Sequence, residues 1–186
     1  MHPVIETQRL ILRPPQLGDE IPLNNAINRS LPALQRWMPW AVDPSLAPTI
    51  RFVEEALVNW ASDKPRDLPM VVVHKASQQI IGASGFNERS NPQVPMYEIG
   101  YWLDTQYTGM GLATEVVSAL TTFAFESLKA VRVQVIMQAD NVASKRVAEK
   151  CGFIHEATLK KYRVDCISGE PADDSIFVRF DAEWLR

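Results

Sequence analysis

Gln106-Tyr107-Thr108-Gly109-Met110-Gly111-Leu112-Ala113 is a glycine-containing stretch between an extended apolar segment and an amphipathic one. Residues 97–103 before it favour a strand, and the apolar residues after it recur at helical spacing, at Val116, Val117, Leu120, Phe123, Ala124 and Leu128. Gly109 and Gly111 let the backbone approach a ligand, and the following helix begins with unpaired N–H groups and the positive end of its dipole. The stretch therefore predicts a turn that binds a pyrophosphate.

Two other phosphate-binding turns fit this stretch poorly. A dinucleotide-binding turn needs a third glycine, where this chain has Thr114, and an acidic residue that ends a strand about 20 residues later, which is missing. A nucleoside-triphosphate P-loop needs a Gly-Lys-Ser or Gly-Lys-Thr sequence, which does not follow here. A glycine turn that serves only the fold, with no ligand, stays open.

Length and composition fit one globular domain over residues 1–186, because single domains usually hold about 100 to 200 residues. The formal net charge of -3 gives no basic face for binding nucleic acid and suits cationic or neutral substrates. No apolar run approaches the roughly 18 to 20 residues of a membrane span, and residues 1–15 do not resemble a secretion signal. With Cys151 and Cys166 as the two cysteines, we expect a reduced, cytoplasmic setting and no membrane partner.

The rest of the chain mixes helical and extended patterns. Alternation predicts a first strand at 9–13, and apolar spacing predicts helices at 19–28 and 49–60, the second with Thr49 as its N-cap. A Pro- and Trp-rich connection joins these two helices. The further predicted elements are a hairpin of strands 69–74 and 79–86, a strand at 131–138, a helix at 141–150 closed by Gly152, and strands at 153–160 and 175–180. Helices interspersed among about seven strands favour a mixed α/β (α+β) sheet layered by helices.

Several short motifs together resemble one protein family. Gln-x-x-Gly-x-Gly between a strand and a helix resembles the acyl-CoA pyrophosphate loop of the GNAT N-acetyltransferases. The motifs that resemble its RimJ/RimL-type branch, which includes acetyltransferases of ribosomal-protein N-termini, are Glu98-Ile99-Gly100-Tyr101-Trp102-Leu103, Asp140-Asn141-x-Ala143-Ser144, Gly152-Phe153 and Trp37-Met38-Pro39-Trp40. The resemblance covers essentially the whole chain. It implies a GNAT fold with a central mixed, mostly antiparallel sheet, and acetyl-CoA as the acyl donor.

The resemblance also implies where the donor binds. The pantetheine arm lies beside the strand that precedes the turn, whose backbone N–H groups can hold the thioester oxygen. The residues implied for binding acetyl-CoA are Ile99, Gly100, Tyr101, Trp102, Leu103, Gln106, Tyr107, Thr108, Gly109, Met110, Gly111, Leu112, Ala113, Thr114, Asn141 and Ser144. Gly100 suits a close approach of the ligand, but it also fits a β-bulge or a packing gap.

Two side chains are candidates for the catalytic roles. By resemblance, the Ser144 hydroxyl lies near the sulfur and protonates the departing thiolate. The alternative is structural, because Asn141 is a good N-cap and Ser144 falls at the third helical position. Glu98 is the candidate general base, because a carboxylate partly buried on that strand would have a raised pKa. Its alternative is a salt-bridged strand residue.

The acceptor is predicted to be the α-amino group of a protein or peptide, such as the N-terminus of a ribosomal protein. Trp37 and Trp40, with Glu98, are the predicted acceptor-binding residues, and Trp60 is a further candidate for the same apolar wall. The alternative for these tryptophans is packing in the core or at an interface. Some RimL-type enzymes carry a late carboxylate where residues 160–163 here are basic, which puts the acceptor in question. A small amine as acceptor, such as a polyamine, an amino acid derivative or an antibiotic, stays open, as does a non-catalytic acyl-CoA-binding regulatory module.

Metal and thiol chemistry have little support in the sequence. His2, His74 and His155 lie far apart and lack paired ligand spacing, so we expect no metal site. Cys151 precedes the helix-ending glycine and is interpreted as a small buried residue. The sequence leaves open whether the chain forms a homodimer.

Overall fold

The computed structural model describes residues 3–183 except 64 and 66, and its centre is one sheet of eight strands. The strands are β1 (Ile5–Glu6), β2 (Leu10–Arg13), β3 (Leu68–His74), β4 (Gln79–Phe86), β5 (Met96–Leu103), β6 (Arg132–Gln138), β7 (Ile154–Val164) and β8 (Pro171–Arg179). The helices are α1 (Glu20–Arg29), α2 (Leu31–Trp37), α3 (Leu46–Ala61), α4 (Leu112–Glu126) and α5 (Val142–Lys150). The strand order is β1-β2-β3-β4-β5-β6-β8-β7.

The one parallel contact in the described sheet joins β5 to β6, and every other neighbouring pair is antiparallel. This parallel register covers only Met96, Tyr97 and Glu98, which pair with Arg132, Val133 and Gln134. Beyond Glu98 the two strands separate, while β5 stays paired with β4 and β6 stays paired with β8. The sheet therefore opens into a V-shaped cleft, here called the splay.

Helices cover the two faces of the sheet unequally. Helix α4 buries an apolar stripe against one face, and its fully buried members include Val116, Val117 and Leu120. Helix α1 packs on the other face, where Leu23 and Ile27 meet residues of β3 and β4. That second core lies over the N-terminal half of the sheet, on the side of the splay formed by β2, β3, β4 and β5.

The predicted mixed, mostly antiparallel fold is confirmed. The hairpin of β3 and β4 forms as expected, and Gly152 ends α5 with a φ of +72°. Strand β6 is less one-sided than its alternation suggested, because the polar side chains of Gln134 and Gln138 are also buried. A strand covered on both faces fits its place in the interior of the sheet.

Three details of the sequence prediction are wrong. The short β1 adds an eighth strand, because two residues are too few to show an alternating pattern. The Pro- and Trp-rich connection contains α2, where Pro32 stands in the first turn, a position that tolerates the missing N–H. Helix α3 begins at Leu46 after Ser45, so Thr49 is not its N-cap. The Thr49 hydroxyl instead lies 3.1 Å from Asn24 Oδ1 in a buried contact.

Candidate active site

The glycine turn divides into a part with internal hydrogen bonds and a part without them. Asp104 accepts from the backbone N–H of Gln106 through Oδ1 at 3.0 Å and from that of Tyr107 through its carbonyl at 2.8 Å. The N–H of Thr108 reaches the carbonyl oxygen of Thr105 at 3.3 Å. These three amides are therefore occupied within the protein, so residues 106–108 present no free backbone donor.

From Gly109 onward the amides are free. Gly109 and Gly111 both have a φ of +77°, a left-handed conformation that glycine adopts without strain, and Gly111 caps α4. Among the described residues, the backbone N–H groups of Gly109, Met110 and Gly111 have no acceptor, and this part of the turn is exposed. Three exposed donors in front of a helix N-terminus form a site for an anion.

The edge of β5 that faces the splay is also free beyond Glu98. Residues 99–103 pair in unbroken register with β4, so Gly100 is not at a bulge. A Cβ at Gly100 would meet only Asn87 Nδ2, at 3.8 Å, so packing within the protein does not require glycine there. The free strand edge and the free turn follow one another along the chain. Together they can hold an extended arm that ends in a diphosphate.

Tyr101 and Ser144 meet across the splay. The Tyr101 hydroxyl of β5 lies 2.7 Å from Ser144 Oγ in the first turn of α5. Burial raises the pKa of Tyr101 to about 12, against a smaller opposing effect of the hydrogen bond from Ser144. Tyr101 therefore keeps its proton at any physiological pH. The Tyr101 hydroxyl can therefore orient Ser144, whose own hydroxyl is the candidate proton donor.

Asn141 is the N-cap of α5, as the structural interpretation of this residue predicted. Its Oδ1 accepts from the backbone N–H of Ser144 at 3.1 Å. The Nδ2 group has no acceptor among the described residues, so the two predicted roles do not compete for the same atom. The cap uses the backbone of Ser144 and leaves its hydroxyl to Tyr101.

Glu98 has the surroundings of an ion-paired structural residue. Its Oε1 accepts from Asn87 Nδ2 at 2.7 Å and from Arg89 Nε at 2.6 Å, and its Oε2 accepts from Gln134 Nε2 at 2.8 Å. The side chain is 1% exposed and lies where β5 and β6 separate. Both oxygens are thus engaged by donors of the protein itself. The geometry favours the salt-bridged alternative over the general base.

The tryptophans divide between the surface beside β5 and the core. Trp40 is 45% exposed and its ring lies 5.9 Å from that of Trp102 on β5, so it borders the strand that faces the splay. The Arg36 guanidinium lies 4.1 Å from the centre of the Trp37 ring. Trp60 donates from Nε1 to the carbonyl oxygen of Pro69 at 2.7 Å and packs against the α4-side core. Its proposed place in the apolar wall is therefore wrong.

The basic residues 160–163 have carboxylate partners on the neighbouring strand. Lys160 Nζ lies 2.8 Å from Asp173 Oδ2, and Arg163 Nη2 lies 2.6 Å from Asp174 Oδ2. Asp174 is fully buried. Carboxylates are thus present near the end of the chain, but each is neutralised by a cation of β7.

Sequence reasoning missed the arginines that join distant segments to the site. Arg9 donates to the Met110 carbonyl and to Glu115, and Arg36 donates to Asp140 and Asp165. The partners are separated by 101 to 129 positions. No local spacing rule connects residues so far apart in sequence.

Three further observations concern metal binding, thiol reactivity and membrane-spanning helices. The described residues contain no group of three or more His, Cys, Asp or Glu side chains that could hold a metal ion, and His2 lies outside them. Cys151 is buried, and burial raises the pKa of its thiol, which makes it a weak nucleophile. Among the described helices, none combines the length and the apolar character that crossing a bilayer requires.

Comparison with known proteins agrees with this geometry. The sequence profile of the acetyltransferase (GNAT) domain matches residues 9–154, which include the turn, the splay and α5. The chain belongs to the GNAT acetyltransferase family. It is therefore an acyltransferase whose donor is acetyl-CoA, and the free amides and the open strand edge fit that donor.

Individual relatives indicate to which branch of the family this GNAT acetyltransferase belongs. The N-acetyltransferase YoaA of Bacillus subtilis, itself uncharacterised, is 26% identical over 95% of this chain and 96% of its own. The ribosomal-protein-serine acetyltransferase of Escherichia coli is 36% identical over 83 residues, which cover 45% of this chain and 46% of that protein. The structure of RimL, the ribosomal L7/L12 alpha-N-protein acetyltransferase in complex with coenzyme A, matches with a TM-score of 0.84 and 23% identity, over 97% of this chain and 99% of RimL. These matches support the RimJ/RimL-type branch.

Proposed function

We propose that this GNAT acetyltransferase transfers acetyl from acetyl-CoA to the α-amino group of a protein or peptide, such as a ribosomal-protein N-terminus, by direct attack in a ternary complex. The observation that carries the acceptor class is that three carboxylates around the splay are all ion-paired. Glu98 is paired with Arg89, Asp165 with Arg36 and Asp174 with Arg163. None of them is a free base.

The absence of a free carboxylate among these three favours an amine that needs little help to lose its proton. At pH 7, deprotonating a lysine amine with a pKa of 10.4 costs about 4.6 kcal/mol, whereas an α-amine near 7.7 to 8.0 costs about 1 to 1.4 kcal/mol. A chain of water molecules can accept the proton of the α-amine, because removing that proton costs little at pH 7. The similarity to the ribosomal-protein-serine acetyltransferase supports the same acceptor class.

On the donor side, we assign the diphosphate to the free amides of residues 109–111 and the pantetheine arm to the free edge of β5. Bound acetyl-CoA would supply an acetyl thioester. Backbone N–H groups of residues 99–103 then hold the carbonyl oxygen where negative charge develops. Asn141 Nδ2, free beside its own cap, is available to the pantetheine amides. Ser144 Oγ gives its proton to the leaving sulfur and regains one from solvent, while the Tyr101 hydroxyl, 2.7 Å away, stays protonated and holds Ser144 in place.

An acceptor screen tests the proposed function. Thiol release from acetyl-CoA would be measured with peptides that carry a free N-terminus, with the same peptides blocked at the N-terminus, and with polyamines and amino acid derivatives. We expect release with the free peptides and mass spectrometry that places the acetyl group on the α-nitrogen. Products from small amines alone would contradict the acceptor class. Stabilisation by coenzyme A without release from any amine would identify a regulatory module instead.

A substitution in the turn tests the donor site separately. Gly109→Glu would put a carboxylate beside the free amides and force a side chain onto a backbone with a φ of +77°. A Cβ there meets nothing within 4 Å, so the fold should survive the change. We expect thermal stabilisation by coenzyme A to disappear while the circular dichroism spectrum stays native. Unchanged binding would remove the diphosphate from this turn.

A further inference from the structure

One arginine connects the N-terminal strands to the glycine turn with the free amides of residues 109–111, here called the diphosphate turn. Arg9, just before β2, donates from Nη1 to the Met110 carbonyl at 2.9 Å and from Nε to Glu115 Oε2 at 2.7 Å. Its backbone N–H donates to Glu115 Oε1 at 2.8 Å, and the Thr7 hydroxyl donates to the same oxygen at 2.5 Å. The turn and the first turn of α4 are thus fixed to the β1–β2 connection.

The bond to Met110 bears directly on the free amides. Met110 is the middle residue of the free segment, and its carbonyl is held toward Arg9. Because the C=O and N–H of one trans peptide point in opposite directions, holding the Met110 carbonyl toward Arg9 fixes the N–H of Gly111 on the opposite side of that peptide. A Cβ on Gly111 would lie 3.7 Å from Arg9 Nη2, so the guanidinium lies alongside the last free amide.

Glu115 places a negative charge beside the proposed anion site, and its ion pair with Arg9 neutralises that charge. Acidic residues in a first helical turn favour the helix dipole, but a bare carboxylate next to an anion site repels the anion. Burial raises the pKa of Glu115, but the hydrogen bonds from Thr7 and from the Arg9 backbone and guanidinium outweigh it and hold that pKa below its usual range. Glu115 is therefore charged, and among the described residues its ion-pair partner beside the turn is Arg9.

We propose that Arg9 is a positioning residue for donor binding, which orients the free amides of the diphosphate turn and cancels the charge of Glu115. The inference rests on the assignment of the diphosphate to this turn. Arg9 needs no contact with the donor for this role. It acts through the Met110 carbonyl and through the Glu115 carboxylate.

Binding of coenzyme A to purified variants, measured by calorimetry, tests the role without knowledge of the acceptor. We expect Arg9→Gln to weaken coenzyme A binding 10-fold or more, because it frees the Met110 carbonyl and leaves Glu115 uncompensated. Arg9→Lys keeps the charge but loses the forked geometry, so its loss should be smaller. The double variant Arg9→Gln with Glu115→Gln should recover part of the affinity, because the repelling charge is gone.

The chain offers a matched control at the end of the strand that follows Arg9. Arg13 of β2 makes a two-pronged ion pair with Asp19, at 2.7 and 2.9 Å, and does not contact the turn. Arg13→Gln should change the affinity for coenzyme A less than 2-fold, although it removes a similar ion pair. Equal affinities of wild type and Arg9→Gln would overturn the proposal. A double variant as weak as Arg9→Gln alone would overturn the charge argument and leave only the orienting bond.

The test separates this inference from the donor-site assignment. If Gly109→Glu and Arg9→Gln both bind like wild type, the diphosphate does not bind at this turn. If Gly109→Glu loses binding and Arg9→Gln does not, the turn holds the donor and Arg9 has no positioning role. Thermal unfolding of each variant without ligand shows whether it has kept its fold.

Discussion

At the scale of single residues, the splay brings one pair of hydroxyls together and surrounds it with ion-paired carboxylates. Tyr101 and Ser144 are the two hydroxyls that meet there, and both lack a nearby base that would take their protons. Glu98 has the contacts of a structural residue, because three side-chain donors form hydrogen bonds to its carboxylate oxygens. This arrangement delivers a proton to a leaving group more readily than it removes one from an amine.

Ser144→Ala should lower kcat by about 100-fold, the usual contribution of a positioned general acid, with little change in the affinity for coenzyme A. The α5 cap survives because Asn141 bonds to the backbone of residue 144. Stopped assays of thiol release, with the amine that the acceptor screen identifies, would measure the effect. Tyr101→Phe, alone and combined with Ser144→Ala, serves as the comparison, and the double variant should be no slower than Ser144→Ala. A kcat unaffected by Ser144→Ala would mean that water or another group protonates the thiolate.

Tyr101 should also be visible in the dependence of stability on alkaline pH. Burial raises its pKa to about 12 in the folded protein, above the ordinary value of 10.0. The unfolded chain therefore loses this proton first, and the stabilisation present below pH 10 is lost as the pH rises toward 12. Urea unfolding at pH 9, 10 and 11 should show a smaller decline for Tyr101→Phe than for wild type. Parallel declines would show that Tyr101 ionises equally in both states.

At the scale of elements, a helix or strand could be predicted from the sequence only where it was long enough to show a local pattern. Helix α4 was predicted from its helical apolar spacing, β2 and β6 from alternation, and β3, β4 and β5 from runs of strand-favouring residues. Strand β1 has two residues and α2 begins with Leu31-Pro32, so neither shows a repeat. The turn itself was predictable because its glycines and the next helix are adjacent in sequence. The Arg9–Glu115 contact was not, because 106 positions separate its members and only the folded sheet brings them together.

The end of α5 gives a prediction at this scale. Gly152 has a φ of +72°, and a Cβ there would lie 2.8 Å from Arg179 Nη1, which donates to the Cys151 carbonyl at 2.5 Å. Gly152→Ala should therefore destabilise the protein by about 1 to 3 kcal/mol from the backbone alone, with crowding of the buried Arg179 added. Gly169→Ala is the matched control, since it has the same φ of +72° and nothing within 4 Å. Urea unfolding of both variants would isolate the crowding, and equal losses would show that Arg179 yields without cost.

At the scale of the whole molecule, the two halves of the sheet are joined by few direct contacts at the splay. Strands β5 and β6 share three register pairs, and beyond them the cleft separates the halves. On the open side, Arg36 bridges the gap from the end of α2. Its Nη1 donates to Asp165 Oδ2 at 2.6 Å, in the β7–β8 connection, and its Nη2 donates to Asp140 Oδ2 at 2.7 Å, just before α5. The acceptor-side tryptophans are thus tied to the segment that carries Ser144.

Replacing this bridge should loosen the acceptor side and leave the donor side intact. Arg36→Gln removes both ion pairs and the stacking on Trp37, so we expect faster hydrogen exchange in residues 31–41 and unchanged exchange in β3 and β4. The Kd for coenzyme A should stay within 2-fold, while the KM for the amine found in the acceptor screen should rise about 10-fold, because the wall that positions it no longer has a fixed place. Arg36→Lys, which can keep one ion pair, should lie between. A loss of coenzyme A binding equal to the loss of acceptor binding would show that Arg36 supports the splay as a whole. A bridge confined to the acceptor side cannot weaken a donor held by the free edge of β5 and the glycine turn.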